Sequence, residues 1–162
     1  MAVYVISDPH FGHDNAIRWR EGFTSPEEHD EFIKDSILST VGKRDSLYIL
    51  GDVCLHNKAW HHVQEIADGV EHLHIVLGNH DFERKNSPAL ADYASVCRGV
   101  YGLREYKGMW LSHAPLHPDE LRGKMNVHGH VHANSVDDPR YFNACCEAVG
   151  YVPVNLATIV GG

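Results

Sequence analysis

A chain of 162 residues, 43% hydrophobic and 22% charged, suits a single globular domain with its own core, taken as residues 1–162. A formal charge of −8 with neutral histidines argues against an electrostatic grip on long duplex nucleic acid, and leaves open a nucleotide or short strand held at a metal site. Nothing approaches the ~18 consecutive apolar residues of a membrane span, and Met1-Ala2-Val3-Tyr4-Val5-Ile6 lacks the basic start and cleavage site of a secretory leader, so a cytoplasmic protein without membrane contact is expected.

Residues 3–6 read as a short buried strand that ends at once in polar Ser7-Asp8-Pro9-His10. In α/β sheets, ligands collect beyond the carboxyl ends of strands. Residues 11–15 continue this loop, and residues 16–19 suit a short helix. Ser25-Pro26-Glu27-Glu28 predicts a helix start, with Ser25 as cap, Pro26 at the first position and Glu28 completing a capping box. Phe32, Ile33, Ile37, Leu38 and Val41 then recur at helical spacing, and Gly42 ends the helix. Residues 47–50 predict a second buried strand, followed by Gly51-Asp52. Residues 58–67 predict a helix with Trp60, Val63, Ile66 and Ala67 inward, broken by Asp68-Gly69. Residues 73–77 predict a third strand that delivers Gly78-Asn79-His80-Asp81 to the same edge. Ser87-Pro88 predicts another short helix, through Tyr93.

Beyond that point the texture changes. Residues 100–106, 109–111 and 125–127 read as short strands of an antiparallel or mixed second sheet, with residues 141–146 as one more. The tail carries a helix-breaking Pro153 and ends in Gly161-Gly162. A βαβαβ half followed by a mostly β half suggests two sheets packed face to face with helices outside.

Cys54, Cys97, Cys145 and Cys146 show no paired CxxC spacing and read as reduced small hydrophobes. The 14 histidines equal all Lys and Arg together, and histidine is both the commonest metal ligand and a common proton carrier. His29, His56, His61, His62, His72, His74 and His117 have no motif around them and are expected on the surface. The others fall at strand ends. Asp8 and His10 follow the first strand, Asp52 the second, Asn79 the third, His113 the run 109–111, and His130 and His132 the run 125–127. These seven oxygen and nitrogen donors suit Mn, Fe, Zn, Co or Ni. They are too many for one four-coordinate ion and fit two ions sharing a carboxylate.

Asp8-x-His10, Gly51-Asp52, Gly78-Asn79-His80-Asp81, His113 and Gly129-His130-x-His132 resemble, in order, the five motifs of calcineurin-like metallophosphoesterases. The opening Ser7-Asp8-Pro9-His10-Phe11-Gly12-His13-Asp14-Asn15, the block from His128 to His132 and the stretch from Asn143 to Glu147 look like the small bacterial and phage branch. The resemblance implies an α/β fold, a four-layer α/β/β/α sandwich of two mixed sheets. It implies that Asp8, His10, Asp52 and His132 hold one divalent ion and that Asp52, Asn79, His113 and His130 hold another. Manganese is the leading expectation, with Fe, Zn, Ni or Co as alternatives. Two such ions polarise a phosphoryl oxygen and generate a bridging hydroxide for in-line attack. The resemblance assigns His80 as the acid or transition-state stabiliser. Asp81 is expected either to orient His80 or to brace the loop.

The sequence after Gly51-Asp52 is Val53-Cys54-Leu55-His56-Asn57, without the further Asp and Arg of the protein phosphatases in this superfamily. That favours a small or nucleotide-like phosphoester over a phosphoprotein, as monoester or diester. His13, Asn15 and Arg84 are candidates for substrate phosphate, as are Arg18 and Arg20, and each Arg reads more simply as a solvated surface charge. His128 is read either as a partner behind a ligand or as strand-end filler. Phe11, Trp19 and Phe82 are candidates to stack on a base, or else core. The competing reading is a fold retained as a binding scaffold with little or no catalysis. Oligomeric state is not legible in the chain.

Overall fold

The computed structural model describes residues 1–160, and within them β-strands form two mixed sheets. In the first sheet β1 (Val3–Ile6), β2 (Ser46–Ile49), β3 (His72–Val76) and β4 (Gly99–Tyr101) are parallel neighbours. In the second, β5 (Arg104–Tyr106) and β6 (Met109–Ser112) form a hairpin, and β7 (Met125–His128) and β8 (Tyr141–Asn143) run parallel to β6. A last strand, β9 (Val154–Asn155), closes the first sheet antiparallel to β1.

Side chains alternate with period two, as a half-buried strand requires. Ile6, Leu47, Ile49, Leu73 and Ile75 face the helices, while Val5, Tyr48, Leu50 and Val76 face Met109, Leu111 and Val127 of the other sheet. Fully burying one such aliphatic side chain contributes about 1.5–3 kcal/mol. Helices α1 (Pro26–Thr40) and α2 (Trp60–Gly69) supply Ile33, Ile37, Val63 and Ile66 to the outer core, and α3 (Leu90–Val96) adds Tyr93. The outer face of the second sheet is covered by residues 114–124 with one 3-10 turn, Pro118–Glu120. Trp110 Nε1 donates to Leu121 O at 3.1 Å and Tyr141 Oη to Leu116 O at 2.6 Å, which fasten that layer. The α/β/β/α sandwich is therefore present, with a thin fourth layer.

Several local expectations shift. Ser25 Oγ accepts from Glu28 N at 3.1 Å, but the Glu28 carboxylate turns back to Thr24, so the reciprocal half of the box closes one residue early. Phe32 is 50% exposed, because it lies beside the face that Ile33 and Ile37 bury. Helix α2 follows a 3-10 turn, Asn57–Ala59, and runs through Gly69. Helix α3 starts at Leu90, later than expected, since Ser87 Oγ donates to Leu55 O at 3.2 Å and Asp92 instead caps Ala89 N at 2.7 Å. The run 100–106 divides between the sheets, because Gly102-Leu103 form the crossover. The last expected strand stops at Asn143. After it Ala144 O accepts from Ser7 N at 2.8 Å, and α4 (Cys146–Val149) and α5 (Leu156–Val160) follow. Gly161-Gly162 lie outside the described residues. No described helix is long and apolar enough to cross a membrane.

The registers place the site. Ile6 pairs with Ile49 and Ile49 with Ile75, so β1, β2 and β3 end level. Ser112 pairs with His128 and His128 with Asn143, so the second sheet also ends level. An isolated bridge between Ser7 and Cys145 draws the two ends together.

Candidate metal centre

Loops leaving these ends carry unusual backbone. Asp8, His10, Asp52, His130 and His132 have φ of 57°, 55°, 49°, 73° and 53°. Each left-handed non-glycine residue costs about 1–3 kcal/mol and persists only where surroundings fix it. Here Asp8 N donates to Gly51 O at 3.2 Å, His10 N to Asp52 O at 3.0 Å and Gly129 N to His113 O at 2.7 Å. Close approach also demands glycine. A Cβ on Gly78 would collide with Asp52, and one on Gly129 would collide with Ser7 and Asp8.

The donors expected from sequence come together in two groups, Asp8 with His10 and His132, and Asp52 with His113 and His130. Asp52 joins them. Its Oδ2 lies 3.6 Å from His10 Nε2 and 3.4 Å from His113 Nε2. Asn79 Oδ1 is 2.8 Å from His113 Nε2 and 3.0 Å from His130 Nδ1. His10 Nε2 lies 3.4 Å from Asp8 Oδ1, and His132 Nε2 is 4.0 Å from the same oxygen.

The fit to a cation rests on unpartnered atoms. Asp8 Oδ1 and His10 Nε2 are buried without hydrogen-bond partners. Asp8 Oδ2, in contrast, accepts from Ser7 Oγ at 2.7 Å, from His130 N at 2.9 Å and from Cys145 Sγ at 3.4 Å. One oxygen is thus held by protein and the other left bare, an arrangement expected of a ligand. His113 Nδ1 donates to Leu50 O at 2.7 Å, which frees Nε2 as a donor atom toward the group. Burial alone would depress the His113 pKa, but the Asp52 hydrogen bond and the Asp8 and Asp52 charges push it up to about 9. The two buried carboxylates demand positive charge. A divalent cation would supply it.

Behind the first group runs a chain that the sequence did not disclose. His132 Nδ1 donates to Glu147 Oε2 at 2.8 Å, and Glu147 Oε1 accepts from Arg20 at 2.8 Å. Arg20 also donates to Asp8 O at 2.6 Å and Pro9 O at 3.1 Å, and contacts His29 Nε2 at 3.0 Å. His29 Nδ1 meets Asp30 at 2.7 Å, and Asp30 accepts from Gly12 N at 2.9 Å. Arg20 and His29, both expected on the surface, are therefore buried braces of the Asp8 loop. Nothing in local spacing links residue 20 to residue 147. His62 is buried as well, under the Phe11 ring at 5.4 Å.

His80 is held by its backbone N, which donates to Asp52 Oδ1 at 2.9 Å, and its ring stands 6.1 Å from that of His10. Its Nδ1 pairs with Glu83, a residue the sequence did not single out. Asp81, expected as a catalytic residue or brace, spends its carboxylate on backbone groups rather than on the His80 ring. It is buried and accepts from Gly78 N at 2.8 Å and from Asp52 N and Val53 N at 3.0 Å, so it ties the second strand end to the third. The reason is position: one residue past His80 the chain has turned inward. His13 is half-buried beside His10, Nδ1 to Nδ1 at 2.9 Å, and burial with neighbouring positive charge lowers its pKa to about 4. Arg84 is exposed and its charge reaches His13, while Asn15 is exposed on the 3-10 turn Asp14–Arg18. Arg18 is exposed too. His128 is buried against Tyr141 and donates to Gly129 O at 2.9 Å. Phe11 is core, Phe82 is 39% exposed on the far side of Tyr93, and Trp19 is 44% exposed at the rim, 6.2 Å from the His10 ring and 6.0 Å from His132.

Comparison with known proteins finds relatives that span most of the chain. Protein MJ1445 of Methanocaldococcus jannaschii is 28% identical over 171 residues, covering 98% of this chain and 89% of its own. The gene 66 protein of Mycobacterium phage L5 is 29% identical over 165 residues, covering 81% of this chain and 77% of its own. The crystal structure of AQ665, a protein of unknown function from Aquifex aeolicus, superposes with a TM-score of 0.76 at 26% identity, covering 99% of this chain and 98% of that one. The calcineurin-like phosphoesterase family model matches residues 1–147, more than half the sequence, and the chain belongs to that family.

Proposed function

We propose that the protein is a dinuclear-metal phosphoesterase that hydrolyses a phosphodiester or phosphomonoester bond of a small, nucleotide-like substrate. One observation carries this reading: a single carboxylate oxygen, Asp52 Oδ2, lies between His10 and His113, beside the unpartnered Asp8 Oδ1 and His10 Nε2. Asp8, His10, Asp52 and His132 would hold one ion, and Asp52, Asn79, His113 and His130 the other. The donor set suits manganese first, with Fe, Zn, Ni or Co as alternatives. Such ions, when bound, polarise a phosphoryl group and make water nucleophilic near neutral pH.

The protein's own groups do the rest. His80 is partly exposed, anchored through its backbone to Asp52 and paired through Nδ1 with Glu83, which leaves Nε2 to donate a proton to the leaving oxygen. His13, half-buried beside His10, and Arg84, whose charge reaches it, would contact the phosphate's other oxygens, with Asn15 on the adjoining turn. Trp19 offers an exposed aromatic surface at the rim, which supports a substrate with a planar base. The test is turnover of bis-p-nitrophenyl phosphate and p-nitrophenyl phosphate with Mn²⁺. Hydrolysis of either one, with two metal equivalents bound per chain, is the expected result. Metal binding without turnover of either ester would overturn the catalytic reading and leave a binding scaffold.

A further inference from the structure

A second cluster of donors lies away from this centre, on the outer surface of α2. His61 and Glu65 are one helical turn apart, so they project from the same face. His62 joins them: its ring centroid is 4.1 Å from that of His61, and the donor atoms of His61, His62 and Glu65 all lie within 4.8 Å of one another. His61 and His62 border a cleft of about 320 Å³ between α1 and α2, whose other wall carries Asp30 and Glu31.

An independent observation points to a ligand. His62 is 5% exposed, and its Nδ1 is buried without a hydrogen-bond partner. That atom faces the carboxylate wall, 3.8 Å from Glu31 Oε2, too far for a hydrogen bond. Lys34 already bonds Glu31 Oε1 at 2.6 Å, Asp35 at 2.9 Å and Glu65 Oε2 at 2.9 Å. One ammonium set among three carboxylates orients them and leaves Glu31 and Glu65 each a second oxygen.

We propose that His61, His62 and Glu65, with Glu31 beside them, form a separate site for a borderline divalent transition metal such as Zn²⁺, Ni²⁺ or Cu²⁺. Two imidazoles and carboxylate oxygens match those ions and disfavour Mg²⁺ or Ca²⁺, which take oxygen ligands. The phosphoesterase reading is not needed for this site.

The experiment is equilibrium dialysis of the whole chain against micromolar Zn²⁺, compared with His61→Ala and Glu65→Gln. Both substituted side chains are exposed, and circular dichroism checks that the fold is kept. The wild type is expected to retain one zinc equivalent more per chain than either variant. Turnover of bis-p-nitrophenyl phosphate with Mn²⁺ should be the same in all three. Equal zinc content in wild type and variants would overturn the proposal. An Asp52→Ala protein separates the two sites: it should lose metal from the main centre and keep the zinc that His61→Ala removes.

Discussion

The two donor groups of the main centre are built differently. Asp8 and His10 are 0% and 2% exposed, and His132 is fixed by Glu147, which is itself fixed by Arg20. In the other group Asn79 and His130 are exposed, and Asn79 and His113 hold His130 by contacts within the group itself. The first group is preorganised by a buried salt-bridge chain, while the second is more open to solvent. Second-sphere partners of this kind change metal affinity by about 10–100-fold. The lesson is that two groups with donors of similar type can differ in burial and in bracing. The proposed substrate would bind where His80 stands, its ring 6.1 Å from that of His10 and its backbone bonded to Asp52 Oδ1.

The sharpest way to break this comparison is to remove what the groups share. Asp52→Ala should abolish metal retention at both groups and lower turnover by about a thousandfold or more, as loss of a metal-held electrostatic clamp does. Calorimetry and metal analysis would check it; a variant that kept both ions would remove Asp52 as the link. His80→Ala tests a residue that serves neither group as a donor. It should keep both ions and lose about 10²-fold in kcat, and unchanged turnover would end its proposed role.

Glu147→Gln tests the asymmetry itself. It should weaken the first ion by about 10–100-fold and leave the second unaffected, whereas His130→Ala should do the reverse. Equal weakening of both ions in either variant would show that the groups are not independent. The same carboxylate gives a pH signature in the metal-free protein. Burial would raise the Glu147 pKa, but the His132 hydrogen bond and Arg20 hold it at about 2, below its ordinary 4.5. A carboxylate with a depressed folded-state pKa contributes stability above the unfolded value and loses it as pH falls toward the folded one. Wild type should therefore lose on the order of 3 kcal/mol between about pH 4.5 and 2, a segment that Glu147→Gln flattens.

Much of the candidate site was legible because its residues announce themselves locally. A strand read from residues 73–77 followed by Gly78-Asn79-His80 gives both the position and the chemistry. The braces were not legible in that way. Arg20 reads as one more surface charge until the fold places it under Asp8 and against Glu147, 127 residues away along the chain. Asp81 sits beside His80 in sequence yet bonds the backbone of Asp52 and Val53, because a tight turn sends neighbouring side chains in opposite directions. Glu83 was missed since its only mark is a spacing of three from His80.

The sequence by itself determined the strand periodicity, the helix start at Ser25, and the donor types waiting at the strand ends. Those are local properties, set by side-chain alternation, capping and turn chemistry. Only the tertiary structure decided that residues 99–101 join the first sheet while residues 104–106 open the second, that Asp52 faces both groups, and that His62 is buried against an acidic wall. Register and packing are collective: they depend on which surfaces exclude water together, and no single stretch of chain contains that information.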